Sequence, residues 1–201
     1  MANAREKFVW DKHRDILSHY RACSVENGRL VDCPEDASIY FDTIQRVVNF
    51  LATISAKTRV LDVGCGVGLF SPLFANFEYT GVDQNELMIE TARLRFPDRN
   101  FVLSNALELT AIFPPYSFDL LFTRAAVQHN TGPDKLAFIK QLSKVLVPNG
   151  LYVAVEDQFL IENSTGADVA DYMSSCGWSL EEFVSPNYYV FRNKPLGENY
   201  E

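Results

Sequence analysis

Several protein classes need features that this chain lacks. No apolar run approaches the ~18 residues of a membrane span, and the opening Met1-Ala2-Asn3-Ala4-Arg5-Glu6-Lys7 carries no apolar signal core. Together these give the expectation of a cytoplasmic protein with no membrane partner. The four cysteines, Cys23, Cys33, Cys65 and Cys176, form no C-x-x-C pair, and no histidine stands at zinc-ligand spacing from them. The expectation is reduced thiols and no metal, with a Cys23–Cys33 disulfide disfavoured. Lys and Arg form no run, and the formal net charge is −8. Phosphate binding normally demands a basic patch, so nucleic acid is not an expected partner. There is no internal repeat and no low-complexity tract.

What the chain does have is the run Val60-Leu61-Asp62-Val63-Gly64-Cys65-Gly66-Val67-Gly68-Leu69-Phe70. An apolar strand passes into three alternating glycines and then into an expected helix, Leu69 to Ala75. Glycine turns the backbone without a Cβ clash and lets a ligand lie against the main chain. A following helix presents free N–H groups to whatever occupies the turn. This is a nucleotide-type binding loop. A dinucleotide fingerprint, G-x-G-x-x-G, needs its third glycine at position 69, which is Leu69; the third glycine is Gly68 instead. That disfavours a nicotinamide oxidoreductase. Thr80-Gly81-Val82-Asp83 reads as the end of a second strand, with Asp83 about 21 residues after Asp62, where an acid accepts ribose hydroxyls in other doubly wound sheets.

These residues resemble motifs I and II of the class I S-adenosylmethionine-dependent methyltransferases. Tyr116-Ser117-Phe118-Asp119-Leu120-Leu121-Phe122-Thr123 and Leu146-Val147-Pro148-Asn149-Gly150-Leu151-Tyr152-Val153 are similar to that family's fourth and fifth strands with their lead-ins. The resemblance spans roughly residues 55 to 192. It implies an α/β fold: a seven-stranded, mostly parallel Rossmann-like sheet with helices on both faces, an antiparallel C-terminal hairpin and an N-terminal helical lid.

The pattern along the chain agrees. Residues 1 to 54 hold two helical candidates, Arg5 to Arg21 and Glu35 to Leu51, separated by Asn27-Gly28 and Cys33-Pro34. Apolar strands at 59–63, 77–82, 100–103, 118–122 and 151–156 alternate with helices at 69–75, 86–96 and 134–146, and an irregular stretch fills 105–115. A helix over 167–176 precedes a hairpin of Trp178–Val184 and Tyr188–Arg192 around Ser185-Pro186-Asn187. The expectation is one domain over residues 1–201, divided into a lid (1–54), a core (55–192) and a polar tail (193–201).

The resemblance implies S-adenosyl-L-methionine as cofactor and S-adenosyl-L-homocysteine as product. Gly64, Cys65, Gly66 and Gly68 would form the loop against its methionine and ribose portions. Asp62 would bond loop amides or water near the amino group, or brace the turn. Asp83 would take both ribose hydroxyls, with Gln84 and Met88 flanking the adenine. Asn105 stands where the family commonly has an aspartate for the adenine amino group; its carbonyl still accepts that bond. Asn105 also suits a plain turn. The Ala106 amide would serve a ring nitrogen, and Thr123 ends the fourth strand at the same edge.

Methyl transfer needs an in-line nucleophile held ~3–3.5 Å from the methyl carbon. A general base is required only if the acceptor must lose a proton. His129, with an ordinary pKa of ~6.5, is the candidate base, or else a structural residue. Arg124 faces substrate or the cofactor carboxylate, or forms a surface ion pair. Trp10, Tyr20 and Tyr40 are lid aromatics able to shield the sulfonium, Tyr20 the best placed; helical spacing suits a plain core equally. The expected acceptor is a small molecule. Transfer to a peptide or protein stands as an alternative, although the Asn-Pro-Pro-Tyr signature is absent after strand four. So does a non-catalytic S-adenosylmethionine-binding subunit.

Overall fold

A computed structural model describes residues 24–26, 29–31, 41–156, 159–160, 165–184 and 187–194. The chain divides into two compact units, Met1–Ala52 and Thr53–Glu201. In the first, β1 (Ser24–Glu26) pairs antiparallel with β2 (Arg29–Val31), and α1 spans Phe41–Leu51. Val47 and Leu51, one turn apart on α1, are buried. The expected helix at Arg5–Arg21, the first part of the expected Glu35–Leu51 helix, and the residues Trp10, Tyr20, Cys23, Cys33 and Tyr40 lie outside the described residues.

The second unit is built on a seven-stranded sheet, in the order β5-β4-β3-β6-β7-β9-β8. Its strands are β3 (Arg59–Val63), β4 (Glu78–Asp83), β5 (Asn100–Leu103), β6 (Phe118–Arg124), β7 (Leu146–Val155), β8 (Trp178–Val184) and β9 (Tyr188–Asn193). The five from β3 to β7 are mutually parallel, and β9 pairs antiparallel with both β7 and β8. The expected architecture of the sheet is the observed one. Strand order runs outward from β3 to β5, then resumes on the other side at β6. The topological switch point therefore lies between the carboxyl ends of β3 and β6, where open α/β sheets bind ligands.

Right-handed crossovers then fix the layers. The β3–β4 and β4–β5 connections cover one face, with a 3-10 turn at Ser71–Phe74 and helix α2 at Glu86–Arg95. The β5–β6 and β6–β7 connections cover the other, with a 3-10 turn at Ala106–Glu108, α3 at Leu109–Ile112 and α4 at Gly132–Val145. Helix α5, Gly166–Ser175, leads into β8. The central strands are buried on both faces, Val60, Leu61, Val63 and Leu121 all being inaccessible. That is why they read as mostly apolar runs without alternation, broken in β3 by the buried Asp62 and in β6 by Asp119 at its start. At the opposite end of the strands, Arg59 clamps Asp119 in a bidentate pair, Nε to Oδ2 at 2.9 Å and Nη2 to Oδ1 at 2.7 Å, tying β3 to β6.

Several boundaries differ from the sequence-based expectation by one or two residues, and three segments differ by more. The helix expected at Leu69–Ala75 is a single 3-10 turn of four residues, Ser71–Phe74, carrying Pro72 in its first turn. Phe74 is fully buried, stacks on Tyr79 with ring centroids 5.5 Å apart and packs on Phe122 at 5.3 Å. That aromatic anchor draws the chain straight down into β4 and leaves no length for a regular helix. β7 starts at Leu146 rather than Leu151, and Asn149 turns in a left-handed conformation within it (φ +63°). The stretch 105–115, expected to be irregular, holds the 3-10 turn and α3, with Leu109 buried beneath.

Candidate functional site

The site grows from the carboxyl end of β3. All three loop glycines adopt positive φ: Gly64 at +79°, Gly66 at +53° and Gly68 at +75°. Two of them show why other residues fail there. A Cβ on Gly64 would lie 2.7 Å from the Ala126 Cβ, so the loop after β6 is packed hard against the glycine loop. A Cβ on Gly66 would meet nothing within 4 Å. Gly64 is thus needed for close approach of two chain segments, and Gly66 for its left-handed backbone beside open space.

Asp83 joins three loops at once. Its Oδ2 accepts from the Gly66 amide at 3.0 Å, its Oδ1 from the Asn85 amide at 2.8 Å, and its carbonyl from the Ser104 amide at 3.0 Å. The Val82 carbonyl meanwhile receives the amides of both Gly64 and Cys65, at 2.8 and 3.0 Å. The ends of β3, β4 and β5 are therefore locked together by main chain and one carboxylate.

Asp62 lies under the loop on the face covered by Ser71–Phe74. It is buried, accepts the Tyr79 hydroxyl at 2.8 Å, and is pushed up to about 7 by burial, with Asp83 adding in the same direction and the Tyr79 bond opposing. That bond ties β3 to β4. Cys65 is buried too, and burial, with Asp62 and Asp83 nearby, pushes its thiol up, the opposite of nucleophile activation. Asn105 caps its own turn, Oδ1 accepting from the Leu107 amide at 2.9 Å, which is the turn role weighed for it. Gln84 is exposed at this edge, while Met88 is buried. Ala106 opens the 3-10 turn beside Asn105.

Thr123 departs from expectation. Its side chain is inaccessible and its Oγ1 bonds the Tyr152 hydroxyl at 2.8 Å, so it faces the sheet interior and offers no hydroxyl to a ligand. Arg124 is half-buried at the strand end, and His129 is exposed at the end of a 3-10 turn, Val127–His129. The helix N-terminus expected after the glycine loop is absent as well. The Gly68, Ser71 and Leu73 amides are spent on the Cys65, Gly68 and Phe70 carbonyls.

Sequence reasoning missed Glu156. This residue, just past β7, is inaccessible, and its two carboxylate oxygens accept the Ala126 amide at 3.1 Å and the Gln128 amide at 3.2 Å. Burial raises its pKa, while Thr123 and the amides of Ala126, Gln128 and Val127 pull it down. Lys135 of α4 is also buried and donates to the Phe159 and Leu160 carbonyls at 2.6 and 2.8 Å. An acid ending a long apolar strand was the available signal, but it resembles any strand-end carboxylate.

A glycine loop at a topological switch point, stitched to an acid at the end of the adjacent strand, defines a Rossmann-like class of nucleotide-binding α/β proteins. Comparison narrows the class. Residues 61–154 match the family described as a methyltransferase domain. The 2-methyl-6-phytyl-1,4-hydroquinone methyltransferase of Synechocystis is 32% identical over 171 residues, covering 78% of this chain and 50% of that one. The ubiquinone biosynthesis O-methyltransferase of Idiomarina loihiensis is 36% identical over 97 residues, covering 46% and 39%. The chain thus spans about half or less of the length of such relatives. Among solved structures, the magnesium protoporphyrin IX methyltransferase of Synechocystis with bound S-adenosylmethionine superposes with a TM-score of 0.67 at 17% identity, covering 96% of this chain and 98% of that one; this likeness shows the fold. Residues 61–154 are thus a methyltransferase domain, on the fold of the class I S-adenosylmethionine-dependent methyltransferases.

Among the described residues no group of three or more His, Cys, Asp or Glu is placed to hold a metal ion, and no helix is long and apolar enough to cross a membrane.

Proposed function

We propose that this chain is an S-adenosyl-L-methionine-dependent methyltransferase acting on a small molecule by in-line displacement. The observation that carries the reading is the glycine loop, with its left-handed Gly66 beside open space and its amide held by Asp83. The donor set fits this cofactor better than a dinucleotide. S-adenosylmethionine has no phosphate, and the loop leads into no helix N-terminus that would hold one. Gly64, Gly66 and Gly68 would hold the methionine and ribose portions, Asp83 the ribose hydroxyls, and Gln84 and the Asn105–Ala106 turn the adenine end. When bound, the cofactor supplies an electrophilic methyl on a sulfonium whose leaving group is a neutral sulfide.

The protein's own contribution is then mainly placement and exclusion of water. The Asp83 side chain, its Oδ2 already held by the Gly66 amide, sets a carboxylate at the edge where the cationic cofactor would lie. Arg124 orients an acceptor or a carboxylate at the end of β6, and His129, on the following turn, takes the acceptor's proton where its pKa requires that. The small-molecule acceptor is supported by the hydroquinone- and ubiquinone-pathway relatives. The net charge of −8 supports an acceptor other than nucleic acid, and a cytoplasmic setting belongs to the same reading. Calorimetry tests it: S-adenosylhomocysteine should bind and NADH should not. Asp83→Ala should weaken that binding about tenfold or more, since a hydrogen bond to a charged acceptor is worth ~1.5–3 kcal/mol. NADH binding without S-adenosylhomocysteine binding would overturn the proposal.

A further inference from the structure

The buried carboxylate of Glu156 reaches the glycine loop indirectly: one of its hydrogen-bond partners, Ala126, packs against Gly64. Above it, the two oxygens divide the amides of Ala126 and Gln128 between them. Beside it, the Thr123 side chain favours the ionised carboxylate, and its hydroxyl is tied to the Tyr152 hydroxyl at 2.8 Å. Across from it stands the Lys135 ammonium, whose charge interacts with Glu156 while its protons hold the Phe159 and Leu160 carbonyls. The Glu156 amide donates to the Asn187 carbonyl at 2.9 Å. The residue is thus anchored outside the loop through its own amide, while its carboxylate oxygens hold the loop's amides.

The loop it holds is one that does not relax into place unaided. Ala125 sits in the left-handed region (φ +53°), which an L residue adopts at a cost. Its amide is held by the Val155 carbonyl at 2.9 Å. The next residue, Ala126, presses its Cβ against Gly64 closely enough that no side chain fits there. Three residues further, His129 closes the turn through its amide on the Ala126 carbonyl at 3.3 Å. Ala126 is therefore shared: Glu156 fixes its amide, Gly64 meets its methyl, and His129 hangs from its carbonyl.

We propose that Glu156 is the positioning residue of the site, gathering the Ala126 and Gln128 amides so that the loop bearing His129 is set against the cofactor loop at Gly64. The role rests on the methyltransferase reading, because it makes the acceptor side and the cofactor side of one site mechanically continuous. A carboxylate is the group for this task. It alone presents two acceptor oxygens to two neighbouring amides, whereas an amide side chain would point an NH2 group at one of them.

The test uses the full chain, S-adenosylhomocysteine as probe, and nuclear magnetic resonance of the Ala126 and Gln128 amides and the His129 ring. In the wild type, the probe binds and shifts the His129 ring signals. In E156Q, amide-exchange protection at Ala126 and Gln128 should fall about tenfold or more, the His129 response to the probe should be lost, and affinity for the probe should drop several-fold. E156D, which keeps both oxygens, should restore part of each. Ala126→Gly removes only the methyl against Gly64; it should uncouple His129 from the probe while the Glu156 hydrogen bonds persist, and it stands in if E156Q does not fold. Wild-type affinity together with an unchanged His129 response in E156Q or in Ala126→Gly overturns the positioning role and leaves the functional reading intact. A wild-type chain that binds no S-adenosylhomocysteine overturns both.

Discussion

Two alanine substitutions two residues apart in the glycine loop should fail for different reasons. At Gly64, alanine must adopt φ +79° and place its Cβ 2.7 Å from the Ala126 Cβ. The left-handed backbone costs about 1–2 kcal/mol, and forcing a methyl into occupied space costs about 1–3 kcal/mol. Gly64→Ala should therefore lose about 2–5 kcal/mol of stability, a large share of the ~5–15 kcal/mol of an ordinary domain. At Gly66 the backbone penalty is similar, with φ +53°, but the added methyl meets no atom within 4 Å. Gly66→Ala should lose only about 1–2 kcal/mol. Its methyl would project instead into the space assigned to the cofactor, so S-adenosylhomocysteine affinity should fall about tenfold or more, equivalent to at least ~1.4 kcal/mol. Urea unfolding gives the first pair of numbers and calorimetry the second. If Gly64→Ala proves no less stable than Gly66→Ala, the Gly64–Ala126 contact is not tight. If Gly66→Ala binds the ligand as the wild type does, the space beside Gly66 is not the cofactor's.

Asp62 titrates at about 7 in the folded protein, raised by burial from an ordinary 3.8. An acid with a raised folded pKa stays protonated when the unfolded chain has already ionised, so stability should decline as pH rises from about 4 to about 7. Asp62→Asn, which still accepts the Tyr79 hydroxyl, should flatten that decline in urea melts at pH 4.5, 6 and 8; an unaltered slope would assign it to other groups. The Arg59–Asp119 pair is half-exposed at 40% and 35%, so Asp119→Asn should cost no more than about 1 kcal/mol. Because the Arg59 guanidinium and amide hold the Asp119 carboxyl below its usual range, this contribution is present above the unfolded pKa of ~3.9. It disappears as pH falls through the lower folded value; a loss confined to neutral pH would contradict the assignment. His129→Ala should leave S-adenosylhomocysteine affinity unchanged, since the turn meets the glycine loop through the Ala126 methyl and holds His129 through its main-chain amide, which alanine keeps; retained methyl transfer in that variant would exclude it as the base.

The sequence alone determined the sheet and the place of the loop. Val60, Leu61 and Val63, Leu120 to Phe122, and Tyr152 to Val155 are buried whichever way they point and so are apolar without alternation, a pattern that one dimension preserves. The glycine frame was legible for the same reason: Gly64, Gly66 and Gly68 each take a left-handed conformation, and that demand is written in residue type. Tertiary structure decided what depends on contacts distant in the chain. Whether Leu69–Ala75 became a helix turned on Phe74 stacking against Tyr79 and packing on Phe122. Whether Thr123 faced a ligand turned on a tyrosine 29 residues away. Glu156 gained its importance from two amides about 30 positions earlier, and Gly64 its steric necessity from Ala126. Local backbone geometry and two-sided burial leave periodic marks on sequence, whereas which side chain meets which amide is settled only when separate strands end side by side.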